Sequence, residues 1–231
     1  MKNQDYLYLD HAASTPMRKS AMDKYIEAES YGYANSSGGH KLSRNSKNLL
    51  EDSREKIAEL LNAAQGEIVF TSGGTEADNW TIKSLFNSER PNDNLVTSNI
   101  EHEAVIASAE WVSSNGFQTK YAKSDKNGLV TKDEFLGQVD NDTKVASLMW
   151  GNNETGIIQP IKDIAREIKT INSSTLFHSD VVQGIISDNI DFHKNGIESA
   201  AVSAHKIGGP KGVGAMFINC LLYTSPSPRD T

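Results

Sequence analysis

From Glu67 onward, short apolar runs and amphipathic stretches take turns along the chain, and this alternation restricts the fold more than any other property of the sequence. Glu67-Ile68-Val69-Phe70-Thr71 reads as a strand, and Ser72-Gly73-Gly74 as the turn into a helix that begins near Thr75. The same criteria give strands at residues 95–97, 117–121, 144–150, 175–178, 200–203 and 213–218. Helices fall between them, at residues 103–112, at 132–139, and from Pro160, where Ile161, Ile164, Ala165 and Ile168 share one face. Strands alternating with helices imply an α/β fold: a mostly parallel sheet covered by helices on both faces. Ahead of this region, residues 6–9 read as a short strand. Thr15-Pro16 reads as the N-cap and first position of an amphipathic helix carrying Met22, Tyr25 and Ile26. A polar stretch at residues 31–40 interrupts the pattern, and Leu42, Leu49, Leu50, Ile57, Leu60 and Leu61 then recur at helical spacing.

Composition removes several classes of function. A net charge of -7 argues against a nucleic-acid binder, which needs a basic surface. No apolar run approaches a membrane span, and Met1-Lys2-Asn3-Gln4-Asp5 lacks the apolar core of a signal peptide. Cys220 is the only cysteine, so no internal disulfide forms. A soluble, cytoplasmic protein is the expectation.

One lysine stands out. Lys206 follows the apolar run Ala200-Ala201-Val202 and precedes Gly208-Gly209-Pro210, at the abrupt end of a buried strand. Desolvation lowers the pKa of an amine, and a neutral amine condenses with a carbonyl compound. The bland alternative is a side chain that snorkels out to water. Ser203 and His205 stand at the same strand end, a hydroxyl and an imidazole suited to a phosphate. Gly73 and Gly74 permit close backbone approach, and the helix that follows presents free N–H groups to an anion. This spacing is neither a Walker loop nor GxGxxG. Asp180 ends the strand Thr175-Leu176-Phe177-His178, where open α/β sheets place ligand-binding groups. A carboxylate there suits a pyridinium nitrogen, or else a plain helix N-cap.

Together with Leu9-Asp10-His11-Ala12-Ala13-Ser14-Thr15-Pro16, Thr71-Ser72-Gly73-Gly74-Thr75-Glu76-Ala77-Asp78-Asn79, Glu101-His102-Glu103-Ala104-Val105, Asn152-Asn153-Glu154-Thr155-Gly156, His178-Ser179-Asp180-Val181-Val182-Gln183 and the block from Ser203 to Gly212, these features resemble the cysteine desulfurases of the NifS/IscS type, within the class V aminotransferase group. The resemblance runs from Tyr8 to Ile218 and implies the large domain of a fold type I transferase dependent on pyridoxal 5'-phosphate (PLP).

By that resemblance, Lys206 carries the cofactor and shuttles protons, and Asp180 pairs with the ring nitrogen. Gly74, Thr75, Ser203 and His205 bind the phosphate. Gln183 bonds the ring oxygen, and Asn153 sits near that oxygen and the substrate carboxylate. His102 stacks on the ring and serves in acid–base steps. His11, His40, His178 and His193 are left as structural or surface residues, and no metal site is expected. The implied reaction converts L-cysteine to L-alanine, with the sulfur passing to an enzyme cysteine for iron-sulfur cluster and thio-cofactor assembly. A homodimer and scaffold or sulfur-carrier partners are implied with it.

The chain departs from the family at its end. The nucleophilic cysteine of such enzymes lies on a loop far beyond the lysine, and Cys220 is too close to Lys206 to be it. Residues 1–15 are expected to belong to a small domain and residues 16–219 to an incomplete PLP-binding large domain. Residues 220–231, with Pro226 and Pro228, read as a non-native tail. Another class V enzyme (a selenocysteine lyase or an aminotransferase) and a non-catalytic PLP-binding fragment are the competing readings.

Overall fold

The computed structural model describes residues 7–86, 90–186 and 190–219. Of the strand expected at residues 6–9, residue 6 lies outside them and Leu7, Tyr8 and Leu9 form no strand, while Cys220 and the tail lie wholly outside. Seven strands form one sheet in the order β1-β7-β6-β5-β4-β2-β3. They are β1 (Ile68–Thr71), β2 (Asn94–Ser98), β3 (Gln118–Ala122), β4 (Thr143–Ser147), β5 (Leu176–Asp180), β6 (Ser199–Ser203) and β7 (Gly214–Ile218). All pairings from β6 through β5, β4 and β2 to β3 are parallel, and only β7 runs against its neighbours β6 and β1. The sheet is therefore mostly parallel, as the alternating pattern implied. β1 consequently points the same way as the parallel set, so the carboxyl ends of β1, β2, β4, β5 and β6 share one rim.

Helices are α1 (Lys19–Tyr31), α2 (Lys41–Leu60), α3 (Gly74–Ser84), α4 (Glu103–Ser114), α5 (Lys132–Leu136) and α6 (Ile161–Ile171). Neighbouring residues of a strand face opposite ways, and here both sides are dry. Val96, Ala146, Phe177 and Phe217 join Phe135, Ile164 and Ile168 in the larger core. Leu95, Val145 and Leu176 pack instead with Ile82, Val105, Ala109 and Val112 of α3 and α4. Burial on both faces explains why these strands read as short continuous apolar runs rather than as alternating ones. α6 is clearly amphipathic, with Ile161, Ile164, Ala165 and Ile168 inward. α1 buries nothing, and Met22, Tyr25 and Ile26 remain exposed.

Three further expectations need correction. The first helix does not start at Thr15-Pro16 but at Lys19. Thr15 is held elsewhere: its Oγ1 donates to the His205 carbonyl at 2.7 Å and accepts from the Gly208 N–H at 2.8 Å. A hydroxyl engaged on both sides by a distant loop is not free to cap the following turn. The strand expected at 144–150 closes at Ser147, after which Leu148 and Trp150 bond singly to the carbonyls of His178 and Asp180. The helix expected at 132–139 ends at Leu136, since Gly137 is its C-cap.

Candidate active site

The shared rim is where the sequence blocks meet. A cavity of about 240 Å³ opens there, and all nine residues singled out above line it: Gly74, Thr75, His102, Asn153, Asp180, Gln183, Ser203, His205 and Lys206. A second hollow adjoins it along Gly73, Gly74, Thr75, Ser203, His205 and Lys211. They come from separate parts of the chain: Gly74 and Thr75 from the start of α3, His102 from the start of α4, Asn153 from a loop, Asp180 and Gln183 from the end of β5, and Ser203, His205 and Lys206 from the end of β6, so no short motif could hold the whole constellation.

β1 ends at Thr71, whose Oγ1 donates to the Gly73 carbonyl at 3.0 Å and shapes the turn into α3. α3 opens with no side-chain cap, so its first-turn N–H groups face the hollow without an intrahelical partner. Gly74 has no room for a side chain: a Cβ there would stand 2.6 Å from Val182 Cγ2. His102 is the N-cap of α4, its Nδ1 accepting from Ala104 N at 3.1 Å. The neutral ring therefore carries its proton on Nε2. Asn153 rides on a loop whose geometry is set by Asn152, which accepts from the N–H groups of Glu154 and Thr155 and donates to the Ile100 carbonyl at 2.9 Å.

Asp180 is buried at the end of β5, where its Oδ1 accepts from Val182 N at 2.9 Å. It thus holds the turn that follows while also lining the cavity, and no helix lies between β5 and β6 among the described residues, so it is not the helix N-cap of the plainer reading. Burial, and then the nearby Asp78, push its carboxyl up to about 7. Lys206 sits in the short 3₁₀ turn (Ala204–Lys206) after β6, partly buried, and burial lowers its pKa. Its Nζ donates to the Ala12 carbonyl, which also accepts from Gln183 Nε2 at 2.8 Å. The segment before α1 thus crosses the mouth of the cavity and is fastened by Lys206, Gln183 and the Thr15 bonds. Burial, then Lys206 and Lys211, lower the pKa of His205.

Sequence reasoning missed Asp78, Met149, Gly151 and Ala13, which also line the cavity. Asp78 was findable, because Gly74, Ala77, Asp78 and Thr81 are spaced as one helical face, and an acid on a buried face is unusual. Of the histidines set aside, His40 caps α2 and His193 pairs with Glu67 at 2.9 Å. His11 is exposed beside Tyr8. His178 is fully buried on Asp78 at 2.9 Å. Among the described residues no cluster of ligands suits a metal ion, and no helix is long and apolar enough to cross a membrane.

Three buried acids give the chain an unusual pH response. Burial pushes Asp78 and Glu101 up to about 8 and Asp180 up to about 7, all above their unfolded values. The folded state then holds protons that the unfolded chain has released, so this stabilisation is lost as pH rises through 7 to 8. His178 works the other way: burial lowers it to about 4, so its contribution is lost only as pH falls below the ordinary imidazole range. Between pH 6.5 and 8.5 the three acids dominate the response. Stability should drop by at least about 1 kcal/mol per pH unit, a few degrees of melting temperature. Thermal melts that stay level or rise across this range would contradict the assignment.

The alignment of the chain with known families decides its membership. Residues 7–228 match the model of the class-V aminotransferases. The chain belongs to that family.

The cysteine desulfurase IscS of Methanosarcina thermophila is 38% identical over 213 residues, covering 92% of this chain and 52% of that protein. The cysteine desulfurase IscS of Dictyoglomus turgidum is 36% identical over 216 residues, covering 92% and 54%. Among solved structures, a NifS-like protein superposes with a TM-score of 0.89 at 36% identity, covering 92% of this chain and 58% of that one. SspA in complex with cysteine gives 0.87 at 33% identity, covering 92% and 61%. The class-V chain therefore has the NifS-like fold and spans about half the length of the curated relatives it matches.

Proposed function

We propose that this chain is the cofactor-holding part of a PLP-dependent cysteine desulfurase. The observation that carries the reading is the single cavity in which a partly buried amine, a buried carboxylate and an uncapped helix N-terminus converge from β6, β5 and β1. The donor set fits the cofactor. The N–H groups opening α3, with Thr75, Ser203 and His205, suit a phosphate ester, and the missing Cβ at Gly74 lets it approach. A pyridinium brought beside Asp180 would favour its charged form, which burial alone opposes. When bound, PLP supplies an electron sink for the pair left at the substrate Cα.

The chain's own residues do the rest. Lys206 offers an amine whose burial favours the neutral, nucleophilic form, and releases the Ala12 carbonyl when it reacts. Gln183 would bond the ring oxygen once it leaves that carbonyl. Asn153 and His102 line the same cavity, His102 with the Nε2–H tautomer set by its capping bond. Asp180 would hold the positive ring nitrogen in place.

The relatives are named as cysteine desulfurases, and one structural neighbour binds cysteine, which favours L-cysteine as substrate over a selenocysteine lyase or aminotransferase reaction. Sulfur transfer to an enzyme cysteine, iron-sulfur cluster assembly with scaffold or carrier proteins, a homodimer and a cytoplasmic location all belong to the whole-protein reading. Residues 1–15 as part of a small domain and residues 16–219 as a large domain belong to it too. The exposed face of α1 and the segment across the cavity mouth are in keeping with further packing partners.

Absorbance spectroscopy tests the core of this reading. Purified chain titrated with PLP should develop a visible band, and borohydride should fix one cofactor per chain on the peptide that contains Lys206. A folded sample with no band, or a label spread over several surface lysines, would overturn it.

A further inference from the structure

Beneath Asp180 runs a buried chain of hydrogen bonds that the proposed chemistry does not use. His178 and Ser199 fall opposite one another across β5 and β6, on the face covered by α3. The direction of the bonds can be read from the end. Met216 Sδ has no proton to give, so Thr81 Oγ1, 3.3 Å away, donates to it. That uses the only proton of Thr81. Ser199 Oγ, at 2.8 Å, must then donate to Thr81. Ser199 has no second proton, so it accepts from His178 Nδ1 at 3.1 Å. A neutral imidazole protonated on Nδ1 leaves Nε2 bare, and Nε2 lies 2.9 Å from Asp78 Oδ1. Two bare acceptors at that distance repel, so a proton lies between them.

We propose that Asp78 carries that proton as a neutral carboxylic acid donating to His178, so that Asp180 is the carboxylate at the cavity floor left to meet a cationic ring. Asp78 and His178 are then a positioning pair rather than catalytic residues. The inference deepens the PLP reading and rests on it for its functional consequence. An ion pair is the alternative, but it would place two charges where Asp78 is 1% exposed and His178 is 0% exposed. Burial pushes Asp78 up to about 8 and His178 down to about 4, so both are neutral at pH 7. The other titratable groups nearby are Asp180 on β5, Glu101 and His102 ahead of α4, and Lys206 after β6. Asp78 in its charged form would oppose ionisation of Asp180, and a neutral Asp78 removes that opposition.

Nitrogen-15 NMR of histidine-labelled chain decides the protonation without any cofactor, with the His178 signals assigned by their loss in His178→Gln. The expected ring is protonated on Nδ1 and bare on Nε2 at pH 7. A ring protonated on Nε2 alone, or on both nitrogens, overturns the proposal. A second arm uses PLP affinity. Asp78→Asn keeps an N–H donor toward Nε2 and should bind PLP within about twofold of the parent. Asp78→Ala loses the donor and should bind about tenfold more weakly, the scale of one buried hydrogen bond. Asn as damaging as Ala would show that the charge of Asp78, not its proton, matters, and would overturn the proposal. If the parent chain binds no PLP, the cofactor reading falls while the NMR arm still settles the proton.

Discussion

Lys206→Ala is expected to abolish the borohydride-fixed label altogether while leaving the fold intact. The side chain lies in a surface-facing 3₁₀ turn, and its one hydrogen bond goes to the Ala12 carbonyl. Loss of that bond costs about 1–3 kcal/mol, less than the stability of a typical domain. Covalent capture, in contrast, depends on one atom. No other amine among the described residues lines the main cavity, and Lys211 borders the adjoining hollow but not the cavity itself. Lys206→Arg should fail equally, because a guanidinium keeps the positive charge but offers no neutral amine. The pair of variants separates the charge of the residue from its nucleophilicity. Peptide mapping after reduction is the measurement. Undiminished labelling in Lys206→Ala, for example at Lys211, would remove Lys206 from its role.

Gly214→Ala should be strongly destabilising. A Cβ at this position would stand 2.6 Å from both Gly73 Cα and the Val202 carbonyl oxygen, and 2.9 Å from Gly73 C. Every one of these atoms is backbone, so no side chain can swing aside. β7 would have to part from β6, or the Gly73-Gly74 turn would have to move. Overpacking of this kind costs about 3 kcal/mol or more, which lowers the melting temperature by about 5–10 °C in a chain of this size. The turn that would move is the one that opens α3 beneath the proposed phosphate, so PLP affinity should fall with stability. Gly39→Ala supplies the control, since a Cβ there meets nothing within 4 Å. It should lie within about 0.5 kcal/mol of the parent. A Gly214→Ala chain that melts with the parent would mean that the sheet yields more easily than its contacts imply.

Some of this was written in the chain itself. The apolar runs at Leu95-Val96, Val145-Ala146 and Leu176-Phe177 are continuous because each strand is buried on both faces, so a covered, mostly parallel sheet follows from local pattern alone. Gly73-Gly74, Asp180 and Lys206 were legible for the same local reason. Each sits at the end of a strand, where backbone direction and chemistry change within a few residues.

What sequence could not supply was any relation that depends on pairing. The reversed direction of β7 rests on hydrogen bonds to β6 and β1, which no local period encodes. Thr15 next to Pro16 has the local chemistry of a helix start, yet its hydroxyl is claimed by His205 and Gly208, nearly two hundred residues away. His178 likewise looked like one more structural histidine. Its meaning comes from Asp78 on α3 and Ser199 on β6, which reach it only because the sheet order places β5 beside β6 under that helix. Local pattern thus determined which elements form and which residues have the chemistry. Tertiary packing decided which of those groups meet, and burial, a property of the folded whole, decided which protons they hold.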